Sequence, residues 1–239
     1  MMNIKLRFKG TYLGFIWAVL EPLFMFIILY VVFASVRHVE QENFPIYLIV
    51  GIILFNLFSR GTTAGLTSLR DNNAILKSLN IRKEFFPVVT TCATSLFLLV
   101  QIGVLFGLMP FFGFVPSWTI ILLPIVLFLF LALVLGFCYI LSILFVYVRD
   151  INPLWAVGVY TLLFISPIFW YSDETNGILL EIQKVNPLGQ VIEIAHKIVV
   201  SGQIPPLNEW LYTASFVFGI LFFGFALFQK YEKKVAEKI

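Results

Sequence analysis

Residues Leu6 to Leu23 read LRFKGTYLGFIWAVLEPL. The first half, with Lys5 just ahead of it and Arg7 and Lys9 within it, has the character of a soluble basic peptide. From Phe15 the chain is apolar as far as Phe33, interrupted by a single charge at Glu21, and Gly10, Gly14 and Pro22 punctuate the passage. A basic segment that feeds into a long apolar run is how a chain approaches and then enters a bilayer. About 20 such residues cross roughly 30 Å of hydrocarbon. A cleavable leader would share the basic start, and VFAS at 32–35 is weakly like a cleavage site. The apolar run is longer, however, than the ~7–15 residues usual in a leader.

The rest of the sequence agrees with a chain that stays in the membrane. Hydrophobic residues make up 60% of the 239 and charged ones 12%, against about a quarter charged in soluble domains. Six segments are long and apolar enough to span, about 17–36, 46–68, 87–112, 118–147, 153–171 and 209–228. The second is the least apolar, because Arg60 and the polar run SRGTTAG (59–65) interrupt it. No shift of composition divides the chain, so residues 1–239 read as one all-α transmembrane domain. A closed barrel would need short alternating strands instead.

Orientation follows the basic residues of the loops. With six spans, thirteen of the sixteen Lys and Arg fall on one side, leaving Arg37, Lys184 and Lys197 on the other among seven carboxylates. Both termini are therefore expected in the cytoplasm of a multi-pass inner-membrane protein. The tryptophans fall at span ends, Trp17 and Trp155 at inner ones and Trp118, Trp170 and Trp210 at outer ones, as interfacial anchors do.

Three short polar segments carry patterns. In residues 2–16, Ile4, Phe8, Thr11 or Tyr12, and Phe15 recur at helical spacing while Lys5 and Lys9 take another face, which predicts an interfacial amphipathic helix. That pattern serves anchoring and docking alike. RDNNAILKSLNIRKEFFP (70–87) predicts a second amphipathic helix over 70–86, capped by Asp71 or Asn72. Its stripe is Ile75, Leu76, Leu79 and Phe86, with Lys77, Arg82 and Lys83 on the wet side. Such a stripe is buried in the membrane interface or in a partner. The outer segment, 172–208, contains VNPLGQVIEIAHKIVVSG (185–202), too short to span and too apolar for water. A re-entrant or interface-lying hairpin bent at Asn186-Pro187 fits it. The pairs Gly61/Gly65 and Gly103/Gly107 allow close helix approach, with packing inside one subunit as the expected use.

Chemistry is sparse. The phosphate-cradling pattern GxxxxGK[ST] is absent, and Lys77-Ser78 has no glycine ahead of it. His38 and His196 lie far apart without a carboxylate pattern that would hold a metal, and Cys92 and Cys138 sit in apolar runs as packing residues. Glu21, Arg60 and Gln101 are the candidate intramembrane polar groups, too few for a proton-coupled carrier. The expectation is a transport body without an engine: no enzyme, no cofactor, no nucleic acid.

LRFKGTYLGFIWAVLEPL resembles the opening Arg-Tyr-Lys-x-[Ser/Thr]-x-Leu-Gly-x-x-Trp-Ala-x-x-x-Pro-Leu of the polysaccharide-export permeases of the type-2 ATP-binding-cassette family. NAILKSLNIRKEFFPV (73–88) is similar to that family's first cytoplasmic loop. YVRDINPLW (147–155) is similar to its Arg-Asp turn after span four, here Arg149-Asp150, and residues 185–202 to its Asn-Pro outer segment. Two features depart from the pattern: members carry extra residues ahead of the opening motif, and Phe-Pro-Arg where this chain has Ile81-Arg82-Lys83.

The resemblance implies that two copies form a channel and that two ATPase subunits, which hold ATP and Mg, bind below. A lipid-linked polysaccharide such as O-antigen or teichoic acid then passes outward. It places Lys5, Arg7, Phe8, Lys9 and Tyr12 on the cytoplasmic surface beside the lipid head group. The loop residues Ile75, Leu76, Lys77, Leu79, Arg82 and Lys83 are the expected ATPase contact. Aromatics of spans one and five, above all Tyr30, Phe33, Trp170 and Tyr171, are the expected channel wall, since sugar rings slide across aromatic faces. A type-2 permease for a drug or another lipid, and a channel or scaffold not driven by ATP, stay open as alternatives.

Overall fold

The computed structural model describes residues 16–37, 43–78, 82–171 and 177–238, and among them every regular element is helical. Five longer helices are α1 (Trp17–Arg37), α2 (Phe44–Asp71), α4 (Phe85–Leu108), α5 (Leu123–Tyr147) and α9 (Leu207–Lys238). Shorter ones are α3 (Asn73–Ser78), α6 (Ile151–Ile165), α7 (Ile178–Val185) and α8 (Pro187–Val199). The interfacial helix expected over 2–16, and with it Lys5, Arg7, Phe8, Lys9 and Tyr12, lies outside the described residues, as does Leu79.

Among the described residues, four helical stretches are long and apolar enough to cross a membrane: Phe44–Asp71, Phe85–Phe112, Trp118–Tyr147 and Leu207–Glu232. At the first and fifth expected spans the apolar helices are shorter, Val19–Phe33 and Ile151–Ile165. The helix expected across 153–171 stops at Ile165 for a local reason. Ser166 precedes Pro167 and adopts an extended backbone (ψ 149°), as steric conflict with a proline ring favours. The chain then turns inward, and Ser166, Pro167, Ile168 and Phe169 are all buried.

Helix α2 is the centre of the bundle. Every residue from Phe44 to Phe58 except Asn56 is buried. It packs along α5 and α4, and α9 covers the other side of α5. Close approach explains the α2–α5 seam. A Cβ on Gly65 would sit 2.2 Å from Cys138 Sγ, and one on Gly61 would sit 2.9 Å from Val134 and 3.1 Å from Thr94 Oγ1. The α5–α9 seam repeats the device, with Gly224 facing the Gly136 carbonyl at 2.5 Å from its would-be Cβ. Gly103 and Gly107 do otherwise: among the described residues, nothing lies within 4 Å of either would-be Cβ. That pair is not used inside the subunit, because α4 turns it away from the bundle.

The helix expected over 70–86 is interrupted. Helix α2 runs on to Asp71, α3 covers Asn73–Ser78, and α4 starts at Phe85. Asn72 breaks the continuity, its Nδ2 donating to the Ser68 carbonyl at 2.7 Å, the local bonding by which asparagine competes with a helix.

Asn186 ties the Ser166-Pro167 turn to the bend between α7 and α8. Its Oδ1 accepts from the Leu188 N–H at 3.1 Å and so caps α8, and its Nδ2 donates to Ser166 Oγ at 2.9 Å. The bend between α7 and α8 thus falls at Asn186-Pro187, pinned to the Ser166-Pro167 turn.

Candidate functional site

Three regions hold the groups singled out in the sequence. The first is the basic end of the bundle, where α2, α3, α4, α5, α6 and α9 meet. The loop stripe splits here. Leu76 is half-buried against the cluster of Leu69, Tyr139, Ile143, Phe228 and Val235, whereas Ile75 is 42% exposed. The basic residues split likewise. Lys83 Nζ donates to the Glu232 carbonyl at 2.5 Å, which ties the loop to α9. Lys77 stays exposed, and Arg82 pairs loosely with Glu84 at 3.3 Å. Arg149 and Asp150 form the exposed turn into α6, and the Arg70 guanidinium lies 4.8 Å from the Phe145 ring centre. Ile75, Lys77, Arg82, Arg149 and Asp150 therefore remain available on this end, while Leu76 and Lys83 hold it together.

The second region lies within the bundle. Arg60 of α2 forms an ion pair with Glu21 of α1, joining two of the three polar groups that the sequence places at membrane depth. Beside the guanidinium, a cavity of about 340 Å³ opens between α2 and α4, lined by Leu57, Arg60 and Ala64 on one wall and Thr90, Ala93, Thr94 and Phe97 on the other. The spacing of three and four residues on each helix puts each set on one face. Thr90 and Thr94 give their protons to the carbonyls of Phe86 and Thr90, at 3.0 and 3.1 Å. Arg60 is thus the cavity's strong donor. Thr90, Thr94 and Phe97 carry no sequence motif; the one signal was an arginine in an apolar run.

The third region is aromatic and lies at the opposite end. Phe33 stacks on Phe169 with centroids 5.3 Å apart, and Phe169 meets Trp170 edge-on at 5.9 Å. Tyr47 lies between Tyr171, at 4.2 Å, and the His196 ring, at 3.6 Å, and its hydroxyl donates to the Trp170 carbonyl at 2.8 Å. Phe33, Trp170 and Tyr171 thus share one cluster. Tyr30 stands apart from it, stacked on Phe26 at 5.6 Å and facing Phe112. All four are half-buried. His196 belongs here although no motif in the sequence marks it. Its Nε2 bonds the Tyr47 carbonyl at 3.0 Å, as donor, and burial pushes its pKa down to about 3. The imidazole is neutral.

The comparisons with known proteins bear on the whole chain. The family described as "ABC-2 type transporter" matches residues 1–200. The chain belongs to that family. This ABC-2 chain is 26% identical over 242 residues to an O-antigen export system permease protein RfbA of Klebsiella pneumoniae, covering 98% of the chain and 91% of the relative. It is 23% identical over 243 residues to the RfbA permease of Myxococcus xanthus, at 99% and 92% coverage. It is 25% identical over 250 residues to the polysialic acid transport protein KpsM of Escherichia coli, at 98% and 92%. The ABC-2 chain thus matches these relatives along nearly its whole length, including all three regions above.

Proposed function

We propose that two copies of this ABC-2 chain form the membrane channel of an ATP-driven exporter. It moves a lipid-linked polysaccharide of the O-antigen or teichoic-acid type outward across the cytoplasmic membrane. One observation carries the reading: the end-to-end similarity to permeases named for O-antigen and polysialic acid export. The basic end then faces the cytoplasm with both termini, and two ATPase subunits with ATP and Mg dock on it. Ile75, Lys77 and Arg82, the groups left outward, are the contacts offered, with Leu79 continuing the stripe. The N-terminal basic residues Lys5, Arg7 and Lys9, with Phe8 and Tyr12, lie at the head-group level of the inner leaflet. Arg149-Asp150 forms a second, smaller contact at the turn into α6.

The aromatic cluster of Phe33, Phe169, Trp170 and Tyr171 supports a sugar-conducting wall at the outer end, with Tyr30 below it. Aromatic faces hold a polymer without a fixed hydrogen-bond register. The deciding experiment deletes the gene in its own host. Loss of surface polysaccharide with accumulation of the lipid-linked polymer inside, restored by the tagged chain together with a co-purifying ATPase, is the expected result. An unchanged surface polymer with an altered export of drug or other lipid would sink it in favour of that alternative.

A further inference from the structure

We propose that the cavity between α2 and α4 docks the phosphate of the polymer's lipid carrier on Arg60, and that Glu21 holds its place when it is empty. The inference rests on the function proposed above and adds a site to it.

Depth comes first. Glu21 is four residues into α1, Thr90 five into α4, and Arg60 eleven short of the end of α2. These offsets put the groups about 6, 8 and 16 Å from the basic end at 1.5 Å per residue, within the half of the bilayer nearest that end. A guanidinium at this depth needs a counter-charge, and Glu21 supplies it.

A simple staple between two helices would need no cavity beside it. Here Arg60 both pairs with Glu21 and lines about 340 Å³ of open volume, at the low end of ordinary ligand sites. Apart from Arg60 and the two threonines, the walls are Leu57, Ala64, Ala93 and Phe97, and the adjoining α4 residues Val89 and Leu96 are more than half exposed. An anion carried on a hydrocarbon chain fits such a site, because its charge meets the fork of Arg60 while its tail meets apolar wall and lipid. Guanidinium binds phosphate oxygens in pairs, and a diphosphate offers more of them than one carboxylate.

Glu21 is the exchangeable partner. Its side chain is 51% exposed and sits one turn from the start of α1, so a displaced carboxylate needs to reach only as far as the interface. With the pair broken, the start of α1 is no longer tied to α2 by charge. Occupancy of the cavity thereby frees the helix that follows the basic N-terminal segment.

The test uses the purified full chain in neutral phosphatidylcholine nanodiscs, with farnesyl diphosphate as probe. Arg60→Gln should weaken its binding at least tenfold, and Glu21→Gln should tighten it several-fold by removing the competitor. Farnesol should not distinguish the three proteins. The exchange Glu21→Arg with Arg60→Glu restores the ion pair and hence the fold, but it should bind as weakly as Arg60→Gln. Wild-type binding by Arg60→Gln, or recovery of binding in the exchanged pair, would overturn the site and leave a staple. Inorganic pyrophosphate binding as tightly as the farnesyl compound would assign a free anion instead, and equal competition by phosphatidylglycerol would assign bulk lipid. Either result overturns the carrier assignment. Export separates the two levels of inference. If Arg60→Gln exports polymer like the wild type while deletion abolishes export, this site falls and the proposed function stands.

Discussion

Helices α2 and α4 form the two walls of the same cavity, and they are built in opposite ways. Helix α2 holds Arg60, Asn56 and the polar run 59–65, yet it is the most enclosed of the long helices. Helix α4 buries one stripe, Pro87, Thr91, Thr94, Leu98, Gln101 and Leu105, and exposes Val89, Leu96, Leu99 and Phe106. Thr91, Thr94 and Gln101 face in, while four of its large apolar side chains face out. In water this would be inside out. In a bilayer, lipid tails satisfy leucine as well as another helix does, so apolarity gives helices no reason to associate. Small residues and hydrogen bonds do. The difference teaches that the least apolar span is central because it is the least apolar.

The largest expected effect tests this through the two glycine pairs. Gly65→Leu puts a branched side chain where even a Cβ would meet Cys138 at 2.2 Å. It should cost more than ~3 kcal/mol, beyond ordinary overpacking, and leave no folded protein after detergent extraction. Gly103→Leu faces open space and should stay within about 0.5 kcal/mol of wild type by thermal melting. Equal damage from both would mean that α4 has a partner on its open face.

These glycines also mark how far the sequence could be read. The apolar helices and the Asn186-Pro187 bend follow from hydropathy and proline sterics, both local properties. The ranking of the helices by burial does not. SRGTTAG weakens span two on any hydropathy scale, and nothing local says that Gly61 and Gly65 meet Val134 and Cys138 some seventy residues later. GVLFG carries the same spacing and meets nothing among the described residues. The stop of α6 at Ile165 was missed because the apolar run continues through Phe169 and Trp170, while the chain turns at Ser166-Pro167. The candidate site was half legible. Glu21 and Arg60 stood out as charges in apolar runs, but their pairing and the threonine wall opposite are long-range facts.

The loop between α2 and α4 allows the next comparison, between neighbours on one short helix. Leu76→Asp drives a charge into the Leu69–Phe228–Val235 cluster and should lower stability by about 2–5 kcal/mol. Ile75→Asp changes an outward side chain and should leave the melting temperature nearly unmoved while reducing ATPase co-purification. If Ile75→Asp keeps its ATPase, the outward face of α3 is not the contact.

A smaller effect contrasts the two ends of α2. At the end near Tyr47, buried His196 has a pKa of about 3, against about 6.5 in an unfolded chain. The unfolded state therefore binds a proton between those values that the native state refuses, so stability is whole above pH 6.5 and falls as the pH is lowered. From pH 7.5 to 5 the loss should reach about 2 kcal/mol. His196→Phe keeps the stack on Tyr47 but forfeits the bond to its carbonyl. It should be less stable at pH 7.5 and lose this pH-dependent step. A variant that falls as steeply as the wild type would assign the dependence to another group.

The smallest effect concerns how α6 is held to α2. The outer side of α6 is largely exposed, with Leu154, Val157, Tyr160 and Phe164 each more than 60% accessible, and its inner end leans on Trp155. The Trp155 indole lies 5.4 Å from the Phe137 ring and 6.1 Å from Phe58, and its Nε1 donates to Thr62 Oγ1 at 3.1 Å. Thr62 in turn donates to the Phe58 carbonyl at 2.7 Å, so its proton is committed and its lone pairs point to the indole. Trp155→Phe keeps an aromatic ring in the contact and removes the donor. One neutral hydrogen bond of this kind contributes about 1 kcal/mol, and bonds between membrane helices average nearer 0.6. Thr62→Val deletes the acceptor, and the double variant should cost little more than the larger single one, since both break the same bond. Full additivity would show that Trp155 acts through ring packing alone, and that α6 rests on α2 by shape without any polar tie.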